Sequence, residues 1–323
     1  MNPKLYMVIP CYNEEEVMPE TVRRLEEKYA SLIQGDKISP DSRIVFVDDG
    51  SKDRTWELIS SFADEKPFVE GIKLSRNRGH QNALLAGLMT VKEKCDISIS
   101  MDADLQDDIN AVDAMVDKYT QEGCDIVYGV RSSRKKDTFF KRRTALMFYR
   151  LMTKMGVEIV SNHADYRLMF KRALMALEKF DEVNLFLRGI VPLIGFKSGQ
   201  VYYERSERFA GQSKYPFKKM LAFSVDGITS FSVKPIRLIF SCGLFIGAVS
   251  VGLLIWALVA RIIGRVDLAS YVSIVGFIAL ACGLQLTATG VVGEYIGKIY
   301  MESKHRPRFI IEEYREKTPG NGE

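Results

Sequence analysis

The chain has 323 residues, 45 of them lysine or arginine against 41 aspartate or glutamate, for a formal net charge of +4. That length accommodates one large domain or two ordinary ones, and so balanced a charge carries no nucleic-acid footprint. Five scattered cysteines, Cys11, Cys95, Cys124, Cys242 and Cys282, lack a Cys-x-x-Cys spacing and argue against a disulfide framework or zinc site, while His80, His163 and His305 are too dispersed for a metal cluster.

Residues 1–10 lack the basic, apolar and small-residue succession of a signal peptide, so the N-terminal part is expected to remain where it is made. Residues 4–9 read as a short apolar strand stopped by Pro10. In the loop that follows, Asn13 or a neighbouring acid would cap a helix running through Val17, Val22 and Leu25. A second strand, residues 43–47, ends in Asp48-Asp49-Gly50-Ser51-Lys52-Asp53 and leads into a helix over 55–62. A third, 69–74, ends in Ser75-Arg76-Asn77-Arg78-Gly79 before a helix over 81–94. The fourth begins at Ile97 and ends in the acids Asp102, Asp104, Asp107 and Asp108; the fifth, 125–130, ends at Arg131.

Strand, polar loop and helix in repetition predict a parallel sheet with helices on both faces, whose ligands sit beyond the carboxyl ends of the strands. Every polar cluster named above falls at such an end. Asp102 and Asp104, two residues apart, point to the same side in extended backbone. Two hard oxygen ligands without nearby Cys or His suit Mg²⁺ or Mn²⁺ held jointly with substrate phosphates. With Arg76, Asn77 and Arg131 in the same cleft, the set implies a nucleotide-linked substrate. Neither a Gly-x-x-x-x-Gly-Lys-Ser/Thr loop nor a Gly-x-Gly-x-x-Gly after the first strand is present.

Residues 135–150 mix Lys and Arg with Phe and Tyr, reading either as a solvated helix face or as a surface for anionic lipid headgroups. Asp165 and Arg167 stand two apart before another helix. Arg205, Arg208, Gly211, Ser213, Lys214 and Tyr215 make a loop suited to an anion, and residues 217–231 carry an amphipathic helical stripe. Residues 238–260 then run for about 23 residues without a charge, about 34 Å of helix, and a second uncharged run covers 268–293. Two transmembrane helices are expected, with the amphipathic helix on the membrane surface. The basic flanks, Lys218, Lys219, Lys234 and Arg237 on one side and Lys298, Lys304, Arg306 and Arg308 on the other, would place both ends on the cytoplasmic face of the inner membrane. Small residues Gly276, Ala279, Gly283, Ala288 and Gly290 would permit close helix packing in a homo-oligomer. The expected divisions are thus 1–215, an α/β domain; 216–235, juxtamembrane; 236–293, two spans; and 294–323, a tail expected to fray beyond its short apolar run at 309–311.

In order, Pro10-Cys11-Tyr12-Asn13-Glu14, Val47-Asp48-Asp49-Gly50-Ser51, Ser75-Arg76-Asn77-x-Gly79, Asp102-Ala103-Asp104-Leu105-Gln106-Asp107, Gly129-Val130-Arg131, Ala164-Asp165-Tyr166-Arg167-Leu168 and Gly211-x-Ser213-Lys214-Tyr215 resemble the inverting family 2 glycosyltransferases of GT-A fold. More narrowly the chain resembles the polyprenyl-phosphate glycosyltransferases: the bactoprenol glucosyltransferases and, more distantly, the dolichol-phosphate mannose synthases. The resemblance covers nearly the whole chain, with Arg78 standing where the family carries an aromatic. It implies a Rossmann-like, mostly parallel domain that transfers a sugar, glucose first, from a UDP-sugar to undecaprenyl phosphate with the help of Mg²⁺ or Mn²⁺. A flippase and a second glycosyltransferase would act downstream, toward cell-surface glycan. Residue by residue, it implies that Pro10, Tyr12, Asn13, Glu14 and Asp49 hold the nucleoside, with Arg76 and Asn77 beside the donor. Asp102 and Asp104 would hold the metal and diphosphate, with Ala103 beside them in the donor site and Gln106 near the sugar. Asp165 matches the catalytic base, and Arg131, Arg167, Arg205, Arg208, Ser213 and Lys214 would face the lipid phosphate.

Other readings stay open at this stage. GDP-mannose or another sugar would serve the same motifs. A phosphate monoester is largely dianionic near neutral pH and hardly needs a base, so Asp165 would equally position Arg167 or the sugar. A processive polysaccharide synthase needs a Gln-x-x-Arg-Trp signature, which neither Trp56 nor Trp256 provides. A non-catalytic nucleotide-sugar-binding membrane scaffold would retain the fold without turnover.

Overall fold

The computed structural model describes residues 2–132, 163–183, 185–204, 229, 233–263 and 269–317. Strands β1 (Leu5–Cys11), β2 (Arg43–Asp48), β3 (Val69–Leu74) and β4 (Ile97–Ser100) are almost wholly buried and mainly apolar, as strands covered on both faces must be. They pair in parallel in the order β4-β1-β2-β3, with α1 (Met18–Gln34), α2 (Thr55–Glu65) and α3 (His80–Val91) as crossovers. The first helix shows the local cause. Met18, Val22, Leu25, Tyr29 and Leu32 recur at three- and four-residue spacing and are buried, while Arg23 and Glu27 pair at 2.6 Å on the exposed side.

Two local expectations change. Pro10 does not stop β1, which runs through it in register with Val47; near a strand's end a proline removes only one donor from the ladder. Nor does Asn13 cap α1, whose N-terminus at Val17 has no side-chain cap. Asn13 adopts φ 53° and its Oδ1 accepts the Lys52 N–H at 2.9 Å, tying two loops together.

The second half of the sheet is mixed. After α4 (Ala111–Glu122) and β5 (Ile126–Arg131) come β6 (His163–Phe170), α5 (Lys171–Leu177), α6 (Leu187–Leu193) and β7 (Ser198–Tyr203). Strand β6 inserts antiparallel between β4 and β5, and β7 lies parallel to β5 at the edge. With β8 (Ile311–Arg315), the eight strands among the described residues follow the order β7-β5-β6-β4-β1-β2-β3-β8.

The last strand overturns the fraying tail. It pairs antiparallel with β3, which would otherwise present an unpaired edge, and Tyr314 donates its hydroxyl to the buried Glu70 at 2.6 Å. The carbonyl of Ile310 accepts the Ser75 N–H at 3.0 Å, so the C-terminal segment also braces the start of the loop after β3.

This sheet and its helices form one compact unit, and α7 (Lys234–Ile262) with α8 (Ala269–Ser303) belongs to a second. Here the expectation of two transmembrane helices is corrected. Over their described residues both uncharged runs are helical, within helices of 29 and 35 residues, but those helices also take in Lys234, Arg237 and Arg261 in the first and Gln285, Glu294, Lys298 and Glu302 in the second. Among the described residues no helix is long and apolar enough to cross a membrane. The two-span architecture and the inner-membrane placement built on it are therefore set aside. Large apolar side chains on both helices, Phe245 and Leu286 among them, are exposed. The amphipathic stripe over 217–231 and the basic stretch over 135–150 lie outside the described residues, apart from Thr229.

Candidate active site

The loops after β1, β2 and β3 are tied to one another at the carboxyl edge of the sheet. Asn13 N–H donates to Ser51 Oγ at 3.0 Å, Glu14 N–H to Thr55 Oγ1 at 2.9 Å, and Asp49 N–H to the Cys11 carbonyl at 2.9 Å. Asp49 is buried and both its oxygens accept main-chain amides, from Arg78 at 2.6 Å and Gly79 at 2.8 Å. Burial pushes its carboxyl pKa up, and these two amides oppose that shift. Gly50, at φ 66°, fits because a Cβ there would lie 2.7 Å from the Asn77 nitrogen and 2.8 Å from the Arg76 carbonyl carbon. Pro10 is buried, Tyr12, Asn13 and Glu14 are half-buried, and Arg76 and Asn77 are exposed. These residues lie in the loops after β1, β2 and β3, along one edge of the sheet.

The acids after β4 are placed by a turn, not by strand alternation. The strand ends at Ser100 and Leu105 takes φ 54°. Ala103 is buried, and its carbonyl accepts the Thr21 hydroxyl at 3.1 Å. Asp104 Oδ1 accepts the Gln106 N–H at 3.2 Å. Asp102 Oδ1 is enclosed and accepts no hydrogen bond, although His80 Nε2 comes within 3.3 Å. Among the described residues no group of three or more His, Cys, Asp or Glu stands ready to hold a metal ion. An enclosed, unsatisfied carboxylate oxygen in a loop of hard oxygen donors nevertheless fits a divalent cation shared with donor phosphates, which needs few protein ligands.

Asp165, on β6, is engaged on both oxygens. Its Oδ1 accepts from Arg167 Nη2 at 2.8 Å and its Oδ2 from Arg188 Nη2 at 3.1 Å, with His80 Nε2 3.8 Å from Oδ2. Burial alone would raise its pKa; Arg188, then Arg167 and His80, outweigh it and hold the carboxyl well below the usual range. Arg167 is itself interior, with Nη1 directed to the Leu187 carbonyl at 3.4 Å, and is not placed to face an acceptor. Arg131 lies 3.4 Å from Asp107, which also accepts the Tyr203 hydroxyl and whose pKa is raised first by burial and then by Asp102. Arg205, Arg208, Ser213 and Lys214 lie outside the described residues.

Two residues of this cluster carried no role in the sequence reading. His80 opens α3 directly after the loop that follows β3, a position the sheet-edge argument already singled out. Arg188 is a lone charge in the apolar run of α6, and a charge in such a run was the available signal.

The profile described as Glycosyl transferase family 2 matches residues 6–177, which take in β1 through α5 and with them the donor edge, the acid loop and Asp165. The chain belongs to that family. This glycosyltransferase is 54% identical over 310 residues to the uncharacterized glycosyltransferase YkoT of Bacillus subtilis, covering 96% of this chain and 91% of that one. It is 37% identical over 318 residues to the bactoprenol glucosyl transferase of Shigella phage SfV, covering 97% of this chain and 100% of that one. A solved glucosyl-3-phosphoglycerate synthase from Mycobacterium tuberculosis, in complex with Mn²⁺, UDP and glucosyl-3-phosphoglycerate, aligns at TM-score 0.42 and 16% identity over 70% of this chain and 78% of that one.

Proposed function

We propose that this glycosyltransferase moves a sugar, glucose first, from a UDP-sugar to polyprenyl phosphate, undecaprenyl phosphate in particular, with inversion at the sugar carbon. The observation that carries this reading is the adjacency of an acid loop with an unsatisfied carboxylate and a cationic cluster around Asp165, joined through His80. The full-length similarity to bactoprenol glucosyl transferases supports the choice of acceptor and sugar. Pro10, Tyr12, Asn13 and Asp49 would take the nucleoside at the edge that Asp49 clamps, with Arg76 and Asn77 beside the phosphates. Asp102 and Asp104 would hold Mg²⁺ or Mn²⁺. When bound, the ion neutralises charge developing on the departing nucleoside diphosphate. Arg131 and the loop of Arg205, Arg208, Ser213 and Lys214 would draw in the anionic acceptor.

The test is nucleotide release by the full chain in detergent with undecaprenyl phosphate, across a panel of UDP- and GDP-sugars, with and without divalent metal and with Asp104→Asn as control. Release for one UDP-sugar that requires lipid, metal and Asp104 is expected. Release that ignores the lipid, or that occurs only with GDP-mannose, refutes the acceptor or the donor respectively.

A further inference from the structure

We propose that His80 is a protein ligand of the divalent cation, binding it through Nε2 together with Asp102 Oδ1, and that this nitrogen makes the site prefer Mn²⁺ to Mg²⁺. This rests on the reading that Asp102 and Asp104 hold such an ion beside the donor diphosphate. The two atoms stand 3.3 Å apart, yet no hydrogen bond joins them and Asp102 Oδ1 remains enclosed and unsatisfied. An imidazolium paired with a carboxylate closes to about 2.7–2.9 Å, with the N–H directed at the oxygen. Two ligands at right angles around an ion about 2.1 Å away lie about 3.0 Å apart, each with its lone pair directed at the ion and not at the other ligand. The separation and the missing hydrogen bond agree with the second arrangement.

The main chain sets the imidazole in place. Gly79, at φ 88°, donates its N–H to Asp49 Oδ2 at 2.8 Å, and its carbonyl accepts the Ala83 N–H at 3.1 Å, closing the first turn of α3 around His80. Next in the chain, Gln81 Oε1 accepts the Leu187 N–H at 2.8 Å, and Ala83, Leu84 and Leu85 are buried. The His80 side chain is itself 37% exposed, so it stands at the edge of the cleft and is not sealed in the core. The other carboxylate in reach, Asp165, has its Oδ2 further off at 3.8 Å, and that oxygen already accepts Arg188. Asp102 is therefore the carboxylate placed to share an ion with His80.

Ligand chemistry then discriminates between the two ions. Mg²⁺ takes oxygen ligands in a strict octahedron and gives up its waters reluctantly, whereas nitrogen and oxygen sites bind the first-row divalent ions with affinity that rises from Mn²⁺ onward. Carboxylates and donor phosphates alone would hold either ion. One imidazole nitrogen beside them favours Mn²⁺. It also ties α3, and through Gly79 the Asp49 clamp on the donor edge, to the same ion as the acid loop.

The experiment uses the full chain in detergent with UDP and Mn²⁺, read by pulsed electron paramagnetic resonance, together with calorimetric Kd values for Mn²⁺ and Mg²⁺ in the presence of UDP. Wild type, His80→Gln and Asp104→Asn are compared. The expected result is imidazole-nitrogen modulation of the bound Mn²⁺ in wild type and its absence in His80→Gln. There the Kd for Mn²⁺ should rise at least about tenfold, the lower end of the loss seen when a residue around a metal site is removed, with the Kd for Mg²⁺ within about threefold. Heavy-nitrogen labelling of histidine alters the modulation in the folded wild type, so the assignment does not depend on the variant folding. Mn²⁺ that binds with UDP and requires Asp104 but shows no nitrogen modulation, or modulation unchanged in His80→Gln, overturns the proposal while the metal reading stands. A wild type that binds no Mn²⁺ in the presence of UDP overturns the metal reading and this proposal with it.

Discussion

Replacing Gly50 with alanine tests how the donor edge is held. The residue sits at φ 66°, and a Cβ would come within 2.7 Å of the Asn77 nitrogen and 2.8 Å of the Arg76 carbonyl carbon. Both are main-chain atoms, so relief requires moving the loop that Asp49 clamps. The left-handed backbone costs an L-residue about 1–2 kcal/mol. Forcing a methyl into an occupied space adds about 1–3 kcal/mol, for a total of about 2–5 kcal/mol. If the sheet unit absorbs that cost, Tm falls by about 4–20 °C, at about 2–4 °C per kcal/mol for a domain of this size. If the loop shifts instead, UDP affinity falls by about tenfold for each 1.4 kcal/mol not recovered. Gly123→Ala supplies the control. It lies at φ 64° after α4 with nothing within 4 Å of its Cβ, so it bears the backbone cost alone. Circular dichroism melts and calorimetric titration with UDP on both variants separate the terms. Equal melting temperatures for the two, with the Gly50→Ala Kd within about twofold of wild type, would refute the argument from close approach.

Three further outcomes follow from buried carboxylates. Glu70 is 1% exposed; burial raises its pKa and the Tyr314 hydroxyl opposes the shift. A folded pKa above the unfolded one means that stability falls as pH rises from the unfolded value through the folded one. Glu70→Gln keeps an acceptor for Tyr314 and removes that loss, so its Tm relative to wild type should be more favourable at pH 8 than at pH 4; a flat or reversed difference rejects this. Asp49→Asn presents an amide group to one of two main-chain N–H donors, and a charged hydrogen bond is worth about 1.5–3 kcal/mol, so UDP should bind about 10- to 100-fold more weakly by calorimetry. Tyr203→Phe leaves Asp107 Oδ1 to Arg131 alone, with Oδ2 already unsatisfied, and should cost about 1–3 kcal/mol in urea unfolding; no change would show that the tyrosine contributes nothing to that carboxylate.

The donor edge was legible because its cause is local. Apolar runs ending in Asp48-Asp49-Gly50, Ser75-Arg76-Asn77 and Asp102-Ala103-Asp104 state both the strand and the side on which it opens, and parallel pairing then gathers the loops. Strand β6 was not legible, since Asp165 and Arg167 are charged residues in its buried stretch and so break the apolar signature of an interior strand. The strand at residues 311–315 was hidden for a different reason. Ile311-Glu312-Glu313-Tyr314-Arg315 reads as a polar tail until it is set against β3, a partner some 240 positions away, where Tyr314 meets Glu70. The uncharged runs at 238–260 and 268–293 announced helices correctly, yet a count of missing charges does not decide whether a helix is apolar enough along its described length to cross a bilayer.

Asp165 shows where reading by motif stops. Its identity and its spacing from Arg167 were visible, and both are compatible with a base, an anchor or an ion pair. What distinguishes these is the company brought by tertiary structure: His80 from the start of α3, Arg188 from α6 and Arg167 from the same strand. A base needs an oxygen available to a proton and a pKa high enough to keep it, and two guanidinium neighbours act against both. An anchor needs the opposite, a carboxylate that stays ionised and fixes the direction of a partner. What the surroundings of Asp165 show is a carboxylate held ionised between Arg188 and Arg167.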